Sequence, residues 1–196
     1  VTSPAVAAGP ARPGLACVAH PLIDAWEDRL RSNDAFWTST LDGLARSGPY
    51  LDRFRAIVEE EGVPGSLALL PVIESSFRAR ALAPDGGRGL WQLQARTARR
   101  FGLVIARRRD ERLDPELATR AAARYLNLLH ERYQDWLLAL AAYNAGEGRV
   151  DRALDRRPGV TFWQLVEEGA LPRISCDYVP RFLAIVRLVE ALPVCG

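Results

Sequence analysis

The sequence predicts an all-α fold, and three observations predict it. Apolar residues recur at three- and four-residue spacing in one window after another from His20 onward. Capping residues, prolines and glycines punctuate those windows where helices should begin and stop. No stretch alternates apolar and polar residues long enough to read as a strand, and no internal repeat has a fixed period. The chain has 196 residues, 48% hydrophobic and 26% charged, which suits one domain with a real core and excludes a disordered or collagen-like chain. All 26 basic residues are Arg, against 24 acidic ones, and a net charge of +2 is too balanced for a nucleic-acid binder. No apolar run approaches the ~18 residues of a membrane span.

The elements follow in order. Residues 1–18, rich in Ala, Pro and Gly, read as a flexible tail, leaving 19–196 as the domain. Pro21–Arg31 carries Leu22, Ile23, Trp26 and Leu30 at helical spacing. Phe36–Arg46 carries Phe36, Trp37, Leu41 and Leu44 in the same way. Tyr50–Glu61 carries Leu51, Phe54, Ile57 and Val58, with Gly62 as its stop. Pro64 suits the first turn of a helix running to about Ser76. The breaker-rich Pro84-Asp85-Gly86-Gly87-Arg88-Gly89 predicts a loop over 78–89. A short helix over Ala95–Phe101 ends at Gly102. Asp114 and Pro115 are an N-cap and first-turn pair opening a helix to Tyr133. Asp135 caps Trp136–Asn144, which Gly146 and Gly148 break. Arg149–Asp155, Phe162–Glu168 and Tyr178–Leu192 complete about ten helices, several of them short.

Three segments look unlike plain packing. Glu74 follows the apolar stretch Leu67–Ile73. A carboxylate there is expensive to bury ionised, so an inward Glu74 should have a raised pKa and could serve as a general acid. Its bland alternative is a helix-end Glu facing water. Gly89-Leu90-Trp91-Gln92 delivers an aromatic and an amide on a glycine-rich loop, or is a turn with a core Trp. Ala141-Ala142-Tyr143-Asn144-Ala145-Gly146-Glu147-Gly148 ends a helix where small residues allow close backbone approach, or is an ordinary C-cap.

Together, Glu74-Ser75, Gly89-Leu90-Trp91-Gln92 and Ala142-Tyr143-Asn144-Ala145-Gly146-Glu147-Gly148-Arg149-Val150 resemble the motif series of the soluble lytic transglycosylase catalytic domain. His20-Pro21-Leu22 with Trp26, Tyr50-Leu51, Asp135-Trp136 and Asp177-Tyr178-Val179-Pro180 look like its membrane-bound lytic murein transglycosylase D branch. The resemblance covers roughly residues 20–192 in order, with 64–156 as the catalytic core. It implies a lysozyme-like helical domain around a saccharide cleft. It implies cleavage of the MurNAc-β-1,4-GlcNAc bond of peptidoglycan glycan strands with formation of 1,6-anhydro-MurNAc, so a lyase. Glu74 would act as acid and then base, and no second catalytic carboxylate, metal or cofactor is implied. Ser75, Gly89, Leu90, Gln92, Ala142, Tyr143, Asn144 and Tyr178 match the family's substrate-binding positions, with the Tyr178 hydroxyl near the catalytic carboxyl. Glu147 reads as structural, answering backbone or Arg149. A monomer is expected.

Two positions depart from the family pattern. Where many members carry Ser, nine residues after the Glu, this chain has Ala83. Where members show a Pro-x-Thr turn, it has Ala95-Arg96-Thr97. One lost hydroxyl contact is worth about 0.5–1.5 kcal/mol, so slower catalysis is the expectation, and the Asp85–Arg88 loop could compensate. A catalytically weakened wall-binding or scaffold module and a hydrolase like goose-type lysozyme stay as alternatives. Arg78, Arg80 and Arg88 are expected around the cleft, facing the lactyl and stem-peptide carboxylates.

The implied substrate puts the protein in the periplasm, with outer-membrane association open. The chain starts at Val1 without Met, which a removed export signal and a chosen segment boundary both explain; the periplasmic substrate favours the former. Disulfides persist in that compartment. A helix over 178–192 would hold Cys176 and Cys195 roughly 20 Å apart, beyond the ~7 Å of a bridged pair. Cys17 is therefore expected to pair with one of the two, if a bond forms.

Overall fold

A computed structural model describes residues 15–32 and 34–190. Its helices are α1 (Pro21–Ser32), α2 (Asp34–Ser47), α3 (Leu51–Glu60), α4 (Leu70–Ser75), α5 (Ala95–Arg100), α6 (Pro115–Tyr133), α7 (Trp136–Ala145), α8 (Glu147–Arg156), α9 (Phe162–Glu167) and α10 (Arg173–Val189). The all-α expectation holds.

The core is built around α7. Its sequence, Trp-Leu-Leu-Ala-Leu-Ala-Ala-Tyr-Asn-Ala, is apolar on every face, which only a helix surrounded by protein tolerates. It packs against α6, α8 and α10, and Ala139, Leu140, Ala141 and Ala142 are fully buried. Asp135 starts it by accepting the Leu137 and Leu138 N–H groups, as its N-cap position requires. Asp114 does the same for α6 through the Leu117 N–H. The amphipathic α1 lies on α10, and α2 lies on α4. His20 enters α1 with Nδ1 accepting the Leu22 N–H at 3.2 Å, while its ring stacks on Trp163 at 3.7 Å.

The structure departs from the sequence reading in four places. The stretch from Pro64 divides into a 3-10 turn (Gly65–Leu69) and then α4, with Pro71 in the first turn of α4 where its missing N–H is harmless. A two-residue antiparallel pair, Ile105–Ala106 (β1) with Arg109–Asp110 (β2), is too short to leave an alternating pattern. The last helix starts at Arg173, after Pro172, and not at Tyr178. Pro180 lies inside α10, where it forgoes one helical hydrogen bond. Finally, Leu15–Cys17, within the stretch read as tail, forms a 3-10 turn with Leu15 and Ala16 buried against α10. Arg187 fixes it, donating to Val18 O at 2.6 Å and pairing with Asp24 at 2.8 Å and Glu27 at 3.2 Å. The rest of the tail and the expected helix end at Leu192 lie outside the described residues, among which no helix is long and apolar enough to cross a membrane.

Cys17 is disulfide-bonded and Cys176 is a free thiol, so the partner lies outside the described residues, as does Cys195. Burial pushes the half-buried Cys176 thiol up, which makes it a poor nucleophile. Non-reducing peptide mapping is expected to find Cys17 in a cross-linked peptide and Cys176 slowly alkylatable; a cross-link through Cys176 would contradict the fold.

Candidate active site

Glu74 sits in the last turn of α4, and the chain reverses directly behind it. Ser76 and Phe77 both adopt left-handed backbone conformations, with φ of 49° and 53°. Such strain persists only where surrounding contacts enforce it. Here Arg46 Nε donates to Ser76 O at 2.7 Å, and the Ser39 and Ser76 hydroxyls lie 3.2 Å apart. The buried Phe77 ring packs between Tyr50 and Phe54. Gly43 of α2 lets this happen, because a Cβ there would already stand 3.3 Å from the Ser76 Cα.

The loop facing Glu74 is framed with similar rigidity. Gly89 has φ of 76°, and a Cβ on it would fall 2.0 Å from Arg112 O, so no side chain fits. Trp91 is fully buried and its indole N–H donates to Thr119 Oγ1 at 2.8 Å. The buried Arg112 donates to Asp110, to Gly86 O at 3.0 Å and to Leu93 O at 3.1 Å. Its planar fork suits this several-fold closure of a loop. Gln92, with φ of 48°, returns its amide to Gly89 O at 2.7 Å.

These frames enclose a cleft of about 430 Å³. Of the residues expected at the site, Glu74, Gln92, Tyr143 and Asn144 line it. Tyr178, from α10, donates its hydroxyl to Glu74 Oε1 at 2.5 Å. Tyr143 donates to Trp91 O at 2.8 Å, and Asn144 Oδ1 accepts from the Ser175 hydroxyl at 3.0 Å. Four others stand behind the wall. The buried Ser75 hydroxyl donates to Leu90 O at 2.8 Å, tying α4 to the loop. The Leu90 side chain is 2% exposed and packs in the core. Gly89 contributes only its backbone. Ala142 is fully buried and accepts the Gly146 N–H at 2.8 Å, closing α7. Ser75, Gly89, Leu90 and Ala142 thus shape the site without lining it, because each is consumed by the loop or by the α7 terminus.

The arginine expectation also needs correction. Arg78, Arg80 and Arg88 do not line the cleft, and Arg88 pairs with Asp110 at 3.3 Å. Arg149 lines it instead, while Glu147 pairs with Arg100 at 3.4 Å and not with Arg149. Asp85, Tyr125 and the rim residue Ile174, 66% exposed, were not singled out by sequence either. Asp85 accepts the Gly87 N–H at 3.1 Å, which aims its carboxylate from the loop into the cleft beside Ala83.

The electrostatics follow from this enclosure. Glu74 opens onto the cleft but is otherwise crowded by protein. Burial pushes its pKa up to about 7, the Tyr178 hydrogen bond pulls it back and the Asp85 charge adds to the rise. Burial, followed by the charge on Glu74, holds the Tyr178 and Tyr143 phenols well above their ordinary value, so both remain protonated donors. A carboxyl poised near neutrality beside a fixed donor can deliver a proton and then take one back.

Comparisons with known proteins bear on the family and the fold. The family model described as the transglycosylase SLT domain matches residues 54–166. Membrane-bound lytic murein transglycosylase D of Escherichia coli is 36% identical over 154 residues, covering 76% of this chain and 33% of that protein. The chain thus spans about a third of that relative's length. An inactive mutant of the lytic transglycosylase Slt from Pseudomonas aeruginosa superposes with a TM-score of 0.58 at 27% identity, over 68% of this chain and 22% of that one. The 70 kDa soluble lytic transglycosylase of Escherichia coli shares the fold with a TM-score of 0.63 at 21% identity, over 84% and 32% of the two chains.

The raised Glu74 value has a stability consequence. Because the folded-state pKa exceeds the ordinary 4.5, the folded chain binds the extra proton. This stabilisation is fully present below pH 4.5 and is lost as pH rises through about 7. Glu74→Gln should therefore stabilise the protein at pH 8 by about 1–3 kcal/mol and leave a smaller gain at pH 4, measured by urea unfolding. A carbon-13 titration of the Glu74 carboxyl should move to lower pH in Asp85→Asn, whose amide oxygen can keep the Gly87 hydrogen bond; an unchanged midpoint would remove Asp85 from the electrostatics.

Proposed function

The chain belongs to the transglycosylase SLT domain family, and from that premise we propose that it cleaves the glycan strands of peptidoglycan as a lytic transglycosylase. The single observation that carries the reading is the Tyr178–Glu74 hydrogen bond at the wall of the cleft. Protonated Glu74 gives its proton to the glycosidic oxygen leaving N-acetylmuramic acid. As a carboxylate, held by the Tyr178 hydroxyl, it then takes the proton of that sugar's C6 hydroxyl. The C6 oxygen attacks C1 and closes the 1,6-anhydro ring, so no water enters the product. A pKa near 7 suits both halves of this cycle, since neither protonation state is far from reach at neutral pH. Gln92 and Asn144 supply amides at the wall for sugar substituents, and Ala83 leaves that wall without the hydroxyl many relatives carry there.

The compartment follows from the substrate, and we place the protein in the periplasm. The disulfide at Cys17 supports an oxidising environment. One observation favours a second reading. Asp85 is a further carboxylate in the same cleft, and paired carboxylates are how hydrolytic glycosidases activate water.

Digestion of purified sacculi followed by mass spectrometry of the muropeptides separates the two. Anhydro-muropeptides are expected; reducing ends would establish the hydrolase, and binding without products a non-catalytic wall module. Glu74→Gln should abolish turnover in a folded protein. Tyr178→Phe should slow it roughly 10- to 100-fold, the range of a hydrogen bond to a charged group.

A further inference from the structure

Beside the cleft lies a second cavity of about 470 Å³, between α8 and the connection from α9 to α10. Arg149, Arg152, Arg156 and Arg157 line it, with Glu168 as its one acidic residue. The spacing explains the concentration of charge. Positions 149, 152 and 156 are three and seven residues apart, so the helical period brings their side chains to one face of α8. Two acidic residues of α8 are engaged elsewhere: Asp151 turns toward Arg132 and Tyr133, at 2.8 and 3.0 Å, and Glu147 pairs with Arg100. Glu168 pairs with Arg157 at 3.1 Å. Among the described residues, Arg149, Arg152 and Arg156 have no ion pair, whereas Arg53, Arg112, Arg120, Arg124, Arg132 and Arg187 each do. The floor is apolar, formed by the buried Ala153 and Leu171.

Arg149 lines both this cavity and the cleft that holds Glu74, so the two cavities share a wall. We propose that the cavity is an anion subsite that takes the carboxylates of a peptide substituent carried by the glycan strand in the cleft. Guanidinium forks bind carboxylates bidentately; Arg149 already donates to Ala145 O, but the two uncommitted forks of Arg152 and Arg156 on one wall match a short segment bearing more than one carboxylate. The apolar floor accommodates the aliphatic part of such a peptide. This subsite rests on the lytic-transglycosylase reading for its location along the strand.

The test uses the Glu74→Gln chain, so that fragments are bound but not consumed. It is titrated calorimetrically with soluble glycan oligomers that carry stem peptides, and with the same oligomers stripped of them. Peptide-bearing oligomers are expected to bind about tenfold tighter, a gap that narrows as salt rises. Arg152→Ala with Arg156→Ala, both exposed positions, should remove that gap and leave the affinity for stripped oligomers unchanged. Arg152→Lys with Arg156→Lys should keep part of it, because the charge remains and the fork is lost. Equal affinity for both oligomers in the parent chain would overturn the subsite, as would a gap that survives the double Ala substitution. Cleavage of stripped oligomers by the unsubstituted chain tests the Glu74 chemistry separately.

Discussion

The hydrogen bond from Tyr178 to Glu74 joins two residues 104 positions apart. The proposed chemistry makes contradictory demands on this carboxyl: it must be dry enough to hold a proton near neutrality and open enough to meet a sugar. A carboxylate stripped of water on all sides would stay protonated and could not act as a base. The structure resolves this by placing Glu74 at the end of a short helix, backed by core and facing a cleft. One donor from a distant helix holds one oxygen, and a second carboxylate across the cleft raises the affinity for the proton.

Rigidity at this position comes from backbone that would not be stable alone. Left-handed Ser76, Phe77 and Gln92 flank the carboxyl on either side of the loop. Each is enforced from a different quarter: Arg46 and Ser39 from α2, the aromatic cluster of Tyr50 and Phe54 from below, and the Gln92 amide turned back on Gly89 O. Arg112 then fastens the loop to β2 and to itself. The strain is stored around the carboxyl of the candidate site and is held by packing that the apolar α7 makes possible.

The helices were legible because their caps and periodicity are local properties of the chain. Asp114, Asp135 and the apolar spacing of α1 to α3 announce themselves within a few residues. What was not legible depends on partners far away. The start of α10 is decided by Pro172, with Pro180 accommodated inside, and two-residue strands leave no pattern at all. In the site, Glu74 was identifiable from its apolar approach together with the motif series. The motifs could not tell wall from frame, because a contiguous string such as Gly89-Leu90-Trp91-Gln92 sends one residue to the cleft and buries its neighbours. Asp85 escaped notice because an acid in a glycine-rich loop has an ordinary reading as a turn residue. Arg149 escaped because only the fold, not the spacing, brings the start of α8 to the cleft.

The family match ends at residue 166, yet the donor to Glu74 stands at 178. The segment matched by the family model is therefore smaller than the segment that completes the site. α10 is in turn held by α1 and by the Leu15–Cys17 turn, through Arg187 and the buried Leu15. A segment cut at the boundary of that match would keep the carboxyl and lose the phenol. The unit that can be moved intact is the one closed by its two ends, with the first described residues and the last helix clasped together behind the cleft.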